Sequence, residues 1–308
     1  MKSRVFDLEA LGQADQPLVV IAGATATGKS ALALELAQKA PAVIINADSM
    51  QVYDALPILT AQPSEAERRL CPHRLYGTIP LDQTCSAAHW AHLAKNELVA
   101  AWDEGVLPIV VGGTGLYIRT LLEGISPIPD IQPDVRSKVR ALASAEGGLG
   151  LKKALAPLDA ILAERLELGD TQRLSRALEV VWSTGTPLSE WQKRPPEGGI
   201  LAQEGLTLSK AVVERERTAL YERCNTRLLT MLEGAALEEL RGLLAMDVAE
   251  DHPLLRAVAV PPLRAYLAGD LTYERALELA QRDTRRFAKR QLTWLRQQFG
   301  DWPRYAME

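Results

Sequence analysis

The chain has 308 residues, of which 47% are hydrophobic, and its formal net charge is −4. This composition supports a sizeable core and excludes a protein that is basic over its whole surface, although a clustered nucleic-acid-binding face stays open. No run reaches the roughly 18–20 apolar residues of a membrane span, and the charged residues 1–16 do not resemble a signal peptide. The three cysteines form no CxxC pair, which indicates a reducing cytoplasm and no zinc site.

The first predicted elements are a buried strand, a glycine-rich turn and a helix. The apolar run 18–22 predicts the strand, and residues 31–37 predict the helix. The turn between them consists of Gly23, Ala24, Thr25, Ala26, Thr27, Gly28, Lys29 and Ser30. This context is typical of a phosphate-binding P-loop, in which backbone N–H groups and a helix N-terminus hold an anion. Lys29 would contact phosphate oxygens and the Ser30 hydroxyl would bind Mg²⁺, whereas the alternative is an ordinary turn with a capping serine.

A second short buried strand is predicted over residues 42–47, and it ends in the carboxylate of Asp48. Ligands bind at the carboxyl ends of strands in an open α/β sheet, so we expect Asp48 to lie close to the P-loop anion. A carboxylate there would bind Mg²⁺ through water or act as a general base. The structural alternative is an N-cap for the following turn.

After a loop with several prolines, residues 86–104 predict an amphipathic helix and residues 106–111 predict a third strand. This strand ends in Gly112, Gly113 and Thr114. In motor-type and GTPase P-loop proteins a strand of the sheet ends instead in an aspartate that helps to hold Mg²⁺. Close backbone approach and a hydroxyl favour the seating of a ligand over the activation of water, while an ordinary glycine turn is the alternative.

Prolines and glycines flank residues 125–200, which predict a helical insertion into the P-loop domain. Helices are expected over 134–145 and 151–168, with a flexible glycine segment between them. Another helix is expected to begin at Asp170.

The remaining residues are expected to form the α/β domain that carries the P-loop. They are residues 1–124 and 201–308, in which 206–208 predicts a returning strand and the rest of the C-terminal part is helical.

The last informative helix, over residues 284–296, and its preceding turn carry a cationic stripe. At 100° per residue its cations fall on one arc of about 140°. The stripe consists of Arg282, Arg285, Arg286, Lys289, Arg290 and Arg296. A solvated basic face is the common interpretation of such a run. In a chain that is acidic overall, however, this concentration of cations favours a phosphate backbone as the partner.

Several of these segments together resemble those of the bacterial tRNA dimethylallyltransferases, also called tRNA isopentenyltransferases, over about residues 18–298. The matching segments are the P-loop with Thr25, 48–53, 111–117, 170–180 and 288–295. The resemblance implies a P-loop NTPase/kinase-like parallel-sheet core flanked by helices, with a mobile inserted helical domain. It also implies the transfer of a dimethylallyl group from dimethylallyl diphosphate to N6 of the adenosine that lies 3′ of the tRNA anticodon.

The resemblance also assigns roles to individual residues. It makes the loop from Gly23 to Ser30 the diphosphate cradle and Asp48 the base that faces the adenine N6, with Lys29 and Thr114 at the same catalytic centre. The expected tRNA contacts are Asp48, Ser49, Met50, Gln51, Thr114, Arg136, Gln172, Arg173, Leu174, Ser175, Arg176, Lys289 and Arg290.

Three positions depart from the family pattern. Ala24 stands where a proline is usual in the loop, and Met50 stands where an arginine is frequent. Residues 257–262 replace a usual Ile/Val-Gly-Tyr segment, so no tRNA contact is carried over to them.

The chemistry of prenyl transfer fits these residues. The exocyclic amine of adenine is a poor nucleophile, so a positioned carboxylate must accept its proton as the C–N bond forms. The leaving diphosphate gathers negative charge, which Lys29, Mg²⁺ on Ser30 and the loop N–H groups would stabilise. A base inside a stacked anticodon loop must be extruded before it can react.

We therefore expect a cytoplasmic, monomeric enzyme with tRNA and dimethylallyl diphosphate as partners and no membrane association. One alternative is a small-molecule kinase with the same P-loop, which would need a γ-phosphate acceptor pocket but no basic helix. The other is a nucleotide-dependent RNA-binding switch without chemistry, which would bind a nucleoside triphosphate and hydrolyse it slowly.

Overall fold

The computed structural model describes residues 6–307. Residues 1–5, which begin the stretch expected to lack a signal peptide, and residue 308 lie outside the described residues. The chain forms two compact units. The first contains the chain up to Leu122 and from Ile200 onward, and the second is Glu123–Gly199. The helical insertion expected over 125–200 falls in the second unit, except for its last residue.

Eight strands are present among the described residues. In chain order they are β1 (Gln16–Gly23), β2 (Ala42–Asn46), β3 (His73–Arg74), β4 (Leu107–Gly112), β5 (Gly124–Ile125), β6 (Glu197–Gly198), β7 (Leu206–Glu214) and β8 (Arg304–Ala306). Six of them form one sheet in the order β3-β2-β4-β1-β7-β8, and every neighbouring pair is parallel. The parallel sheet predicted for the core is confirmed.

Thirteen α-helices are present in the same range. They are α1 (Leu8–Leu11), α2 (Lys29–Ala37), α3 (Glu65–Leu70), α4 (Ala87–Asp103), α5 (Gly115–Glu123), α6 (Pro133–Leu155), α7 (Ala160–Arg165), α8 (Thr171–Thr184), α9 (Leu188–Trp191), α10 (Arg217–Glu233), α11 (Ala236–Leu244), α12 (Val260–Leu267) and α13 (Tyr273–Gln298). Between residues 6 and 307 none of them is long and apolar enough to cross a membrane.

The central strands are apolar on both faces because helices cover the sheet on both sides. Residues Leu18, Val20 and Ile45 pack into one large cluster, and their alternate neighbours Val19, Ile21 and Ile44 pack into another. The register pairs Ala22 of β1 with Gly112 of β4 and with Val212 of β7. The carboxyl ends of β1, β2 and β4 therefore lie at one edge of the sheet, where parallel sheets bind ligands.

The second unit differs from its sequence prediction in one helix. The helix expected over 151–168 is two helices, because α6 ends at Leu155 and α7 begins at Ala160. Pro157 cannot continue a helix, and the Asp159 carboxylate accepts a hydrogen bond from the Leu162 N–H at 3.2 Å to cap α7. The expected flexible glycine segment lies within α6 and kinks it at Gly147, whose φ is 60°.

Two further differences concern the first unit. The strand expected over 206–208 extends to Glu214, since it pairs with β1 on one side and with β8 on the other. Within the atypical segment 257–262, Ala259 has a φ of 74° at the start of α12. This left-handed backbone conformation favours glycine.

Candidate active site

The glycine-rich turn joins β1 to α2 as a tight loop. Gly28 has a φ of 105° and occupies the N-cap of α2, so Lys29 and Ser30 begin the helix. Inside the loop the Thr27 hydroxyl donates to the Ala24 carbonyl at 2.9 Å. The Ser30 residue is exposed, and its hydroxyl makes no hydrogen bond among residues 6–307. The N–H groups at the start of α2 and this hydroxyl are therefore available to an anion and its metal ion.

Three arginines that the sequence analysis did not identify surround the loop. The Arg227 guanidinium donates to the Thr25 hydroxyl, and Arg223 Nε donates to the Ala26 carbonyl at 3.1 Å. Arg215 Nε donates to the Thr27 carbonyl at 3.5 Å. The sequence offers one signal for Arg223 and Arg227, which are four residues apart on α10 and therefore lie on the same face of that helix. It offers no such signal for Arg215.

Lys29 lies among these charges. Burial lowers the pKa of its ammonium from 10.5 to about 8, the charge of Arg227 lowers the pKa as well, and the Asp48 carboxylate opposes both. Its Nζ donates to the Ala24 carbonyl at 3.4 Å. A concentration of positive charge around backbone N–H groups is suited to a polyphosphate anion.

Asp48 follows β2 and is fixed by its neighbours at the same edge. Its N–H donates to Asn46 Oδ1 at 2.8 Å, and Asn46 Nδ2 donates to the carbonyls of Asp48 and Leu75 at 3.0 and 2.9 Å. Asp48 Oδ1 accepts the Met50 N–H at 3.0 Å. The second carboxylate oxygen accepts no hydrogen bond from the described part of the chain. One oxygen thus closes a turn, as the structural alternative expected, and the other is free for chemistry.

Thr114 sits next to this carboxylate turn at the end of β4. Its hydroxyl accepts the Ser49 N–H at 2.9 Å and lies 3.2 Å from Ser49 Oγ. Beneath it, Trp90 stacks on Tyr117 with ring centroids 4.8 Å apart and donates its indole N–H to the Asn46 carbonyl at 2.8 Å. These contacts hold residues 46–49 against the start of α5.

The glycines at the end of β4 and directly after it are needed for packing within the protein. A Cβ at Gly112 would overlap the Ala47 carbonyl, one at Gly113 would overlap the Gln291 amide, and one at Gly115 would overlap the Trp294 ring. The predicted close approach of backbone is present in this segment, and the groups that approach it are the neighbouring strand end and α13. The seating of a ligand there stays a prediction.

Gln51 holds a loop. Its Nε2 donates to the carbonyls of Thr60 and Ala61, each at 2.8 Å. Glu239 supports the same loop by accepting the N–H groups of Ile58 and Leu59, and burial raises the pKa of its carboxyl. Both amide hydrogens of Gln51 are therefore engaged, and only its oxygen is left for a nucleotide.

The cationic stripe lies on the outer side of α13. Arg286, Lys289, Arg290 and Arg296 are exposed, and none of their side chains makes a hydrogen bond or ion pair within residues 6–307. The Arg290 guanidinium lies 5.8 Å from the centre of the Phe287 ring. The other two members have partners, because Arg282 pairs with Asp283 at 2.9 Å and Arg285 donates to Asn225 Oδ1 at 2.7 Å. The sequence placed six cations on this arc, and four of them are uncommitted.

Four of the six expected tRNA contacts of the second unit are exposed. Arg136, Gln172, Arg173 and Arg176 are exposed, and Ser175 is partly buried. Leu174 is fully buried in the core of this unit, where it packs with Ala177 and Leu178. The buried side chain of Leu174 cannot reach a ligand, so the predicted tRNA contact of this residue is left to its backbone.

Among the described residues, no group of three or more His, Cys, Asp or Glu side chains could hold a metal ion. Cys71, Cys85 and Cys224 are free. A metal ion at the loop would therefore take most of its ligands from a bound polyphosphate and water, which is the usual arrangement for Mg²⁺.

Known proteins match this chain over most of its length. The family described as IPP transferase matches residues 51–298. The tRNA dimethylallyltransferase of Rhodospirillum centenum is 48% identical over 285 residues, which are 92% of this chain and 90% of that protein. The tRNA dimethylallyltransferase of Paramagnetospirillum magneticum is 45% identical over 92% of this chain and 88% of its own length.

Two solved structures share the fold. One is the full-length tRNA isopentenylpyrophosphate transferase of Bacillus halodurans, with a TM-score of 0.65 and 29% identity, covering 94% of this chain and 90% of that one. The other is a eukaryotic dimethylallyltransferase acting on tRNA, with a TM-score of 0.76 and 25% identity, covering 94% of this chain and 74% of that one.

Proposed function

The chain belongs to the IPP transferase family, and from this premise we propose that it is a tRNA dimethylallyltransferase. It transfers a dimethylallyl group from dimethylallyl diphosphate to N6 of the adenosine on the 3′ side of the anticodon and releases diphosphate. The observation that carries the proposal is that a cation-lined anion loop and a carboxylate with a free oxygen share one edge of the sheet. Prenyl transfer needs both groups at one place.

We propose that the loop holds the diphosphate of the prenyl donor. Lys29 and Arg227 lie at the loop, and Arg223 donates to its backbone. As the allylic C–O bond breaks, negative charge accumulates on the diphosphate. Positive groups that the fold already holds at the loop would stabilise the departing anion.

Asp48 acts as the base in this proposal. The N6 amine attacks the allylic carbon, the C–N bond forms as the C–O bond breaks, and the N6 proton passes to the free carboxylate oxygen. The Asn46 and Met50 contacts fix the orientation of the carboxylate before the substrate arrives. Thr114 lies beside it and is proposed to contact the same nucleotide.

The residues present fit a Mg²⁺ ion bound together with the diphosphate. The Ser30 hydroxyl has no partner in the described part of the chain. Ser30 is the second residue of α2 and follows Lys29, which is the position of a P-loop metal ligand. When bound, Mg²⁺ would neutralise charge on the leaving diphosphate. The arginines and Lys29 supply positive charge to the same anion.

We further propose that tRNA binds through the exposed cations of α13 and through Arg136, Arg173 and Arg176 of the second unit. The target adenosine must leave the stacked anticodon loop to reach Asp48. The proposed location is the cytoplasm, and the proposed state is a monomer.

A labelling experiment separates this function from a small-molecule kinase. Purified protein is mixed with unmodified tRNA, isotope-labelled dimethylallyl diphosphate and γ-labelled ATP. We expect label from the prenyl donor in tRNA at N6-isopentenyladenosine, and no dependence on ATP. Phosphoryl label in any acceptor, with no prenyl label in tRNA, would overturn the proposal.

A further inference from the structure

Gln291, on the buried side of α13, connects the diphosphate loop (residues 23–30) to Gly113, which follows β4. Its Oε1 accepts the Thr25 N–H at 2.9 Å, and its Nε2 donates to the Gly113 carbonyl at 3.0 Å. The side chain is 8% exposed, so these hydrogen bonds are shielded from water. A buried amide that loses such partners costs free energy, so Gln291 ties the two loops to one helix.

The packing of α13 supports the same connection. Ala288, one turn before Gln291, is fully buried against Ala24 of the loop and against Leu220 and Cys224 of α10. One turn later, the Trp294 ring occupies the space that a side chain at Gly115 would fill. Movement of this helix would therefore move both the diphosphate loop and the segment that carries Thr114.

The opposite side of α13 carries the uncommitted cations. At 100° per residue, Gln291 lies about 170° from the centre of the stripe formed by Arg282 to Arg296. Arg286, Lys289 and Arg290 face solvent within two turns of it. A polyanion bound to these cations would restrain the same part of α13 that holds the diphosphate loop through Gln291.

We propose that Gln291 is a positioning residue that couples tRNA binding on α13 to diphosphate binding in the loop. The inference rests on the proposed function. A tRNA bound to the stripe fixes α13, and Gln291 then fixes Thr25 and Gly113 in the arrangement that accepts the diphosphate. Coupling between two ligands is reciprocal, so bound diphosphate also tightens tRNA binding by the same factor.

The test measures this coupling factor. The dissociation constant of inorganic diphosphate is determined with and without saturating unmodified tRNA, for wild type, Gln291→Met and Gln298→Met. Gln298 is exposed on the same helix and lies outside the arc of the stripe, so the last variant is the matched control. We expect tRNA to tighten diphosphate binding at least about fivefold in wild type and in the control. In Gln291→Met the factor should fall to within about twofold of unity, while the Kd for tRNA alone stays unchanged.

A second variant separates positioning from folding. In Gln291→Glu a protonated carboxyl can still donate to the Gly113 carbonyl, whereas the carboxylate cannot. The carboxylate of Gln291→Glu still accepts the Thr25 N–H but cannot donate to Gly113, so its coupling factor should be close to unity at pH 8. A wild-type coupling factor in Gln291→Glu would contradict this hydrogen-bond role.

The outcomes also distinguish the inference from the function. Wild-type protein that binds tRNA and transfers the prenyl group, but shows no coupling, overturns the inference alone. A Gln291→Met variant that keeps the wild-type coupling factor also overturns the inference alone. Wild-type protein that shows neither tRNA binding nor transfer overturns the proposed function itself.

Discussion

At the scale of single residues, the charge of Lys29 depends on pH within the working range. Burial lowers its pKa to about 8, so its ammonium is present below that pH and is lost above it. Diphosphate binding gains from the ammonium only while it is charged. We expect the ratio of wild-type to Lys29→Met affinity for inorganic diphosphate to fall about tenfold between pH 7 and 9. Calorimetry measures both affinities, and their ratio cancels the effect of diphosphate's own titration. A ratio that is the same at pH 7 and 9 would contradict the lowered pKa of Lys29.

Gly112 and Gly242 provide a matched pair for stability. A Cβ at Gly112 would overlap the backbone of Ala47, whereas one at Gly242 in α11 would meet nothing within 4 Å. Gly112→Ala should lower the free energy of unfolding by at least about 2 kcal/mol, because the backbone cannot move aside. Gly242→Ala should raise it by about 0.5–1 kcal/mol, since alanine favours a helix. Urea denaturation of both variants checks the opposite signs, and effects of the same sign would contradict the packing.

Residues close in sequence were predictable at this site, and residues supplied from a distance were not. Gly28, Lys29 and Ser30 are adjacent, so their spacing alone indicates the loop. Arg227 reaches Thr25 from 202 residues away, and no local pattern encodes that distance. Gln291 lies within the segment 288–295 that resembles the family, but its hydrogen bonds to Thr25 and Gly113 depend on where α13 packs.

At the scale of elements, α13 is expected to be the main electrostatic contact for tRNA. Replacing Arg286, Lys289 and Arg290 by Ala should weaken binding and lower the slope of log K against log salt by about 2–3 units. Each lost phosphate contact accounts for about 0.7–0.9 of that slope. Filter binding over a range of salt concentrations measures it.

The matched control for the α13 variant removes three positive charges from other parts of the surface. Lys39, Arg69 and Arg241 are exposed and pair with Glu35, Glu65 and Glu238. Their triple replacement by Ala should leave the slope close to wild type. Equal slopes for the two triple variants would show that the outer face of α13 does not bind tRNA.

The elements were predicted best where hydrophobic periodicity was continuous. The buried strands at 18–22 and 106–111 and the helix at 86–104 are present close to those limits. The helix expected over 151–168 is interrupted because Pro157 and the Asp159 cap override its apolar pattern. β8 has three residues and forms by pairing with β7, so the sequence gives no local signal for it.

At the scale of the whole molecule, we expect the second unit to move and close over tRNA when tRNA binds. Its exposed Arg136, Arg173 and Arg176 are separated along the chain, and a large substrate must engage them together. Hydrogen exchange should therefore show a larger gain of protection in residues 123–199 than in the parallel sheet. Inorganic diphosphate alone is the control and should protect mainly residues 23–30. Equal protection of both units by tRNA would contradict this role.

The P-loop, the parallel sheet and the family could all be inferred from short segments of sequence. The site could be inferred only in part, because the hydrogen bonds that hold its residues depend on the folded backbone. Asn46 orients Asp48 and Gln51 holds the loop at 60–61, and neither role follows from residue type alone.

The central claim is that one site holds the diphosphate in its loop and removes the N6 proton with Asp48. Single-turnover prenyl transfer by Asp48→Asn, at saturating tRNA and dimethylallyl diphosphate, tests it most directly. The amide preserves the shape of the turn but cannot take the proton, so we predict a rate about 10²–10⁴-fold lower, with both substrates still bound. Lys29→Ala should instead weaken diphosphate binding and slow transfer together. An Asp48→Asn rate within about threefold of wild type would contradict the account, because general-base catalysis contributes far more than that.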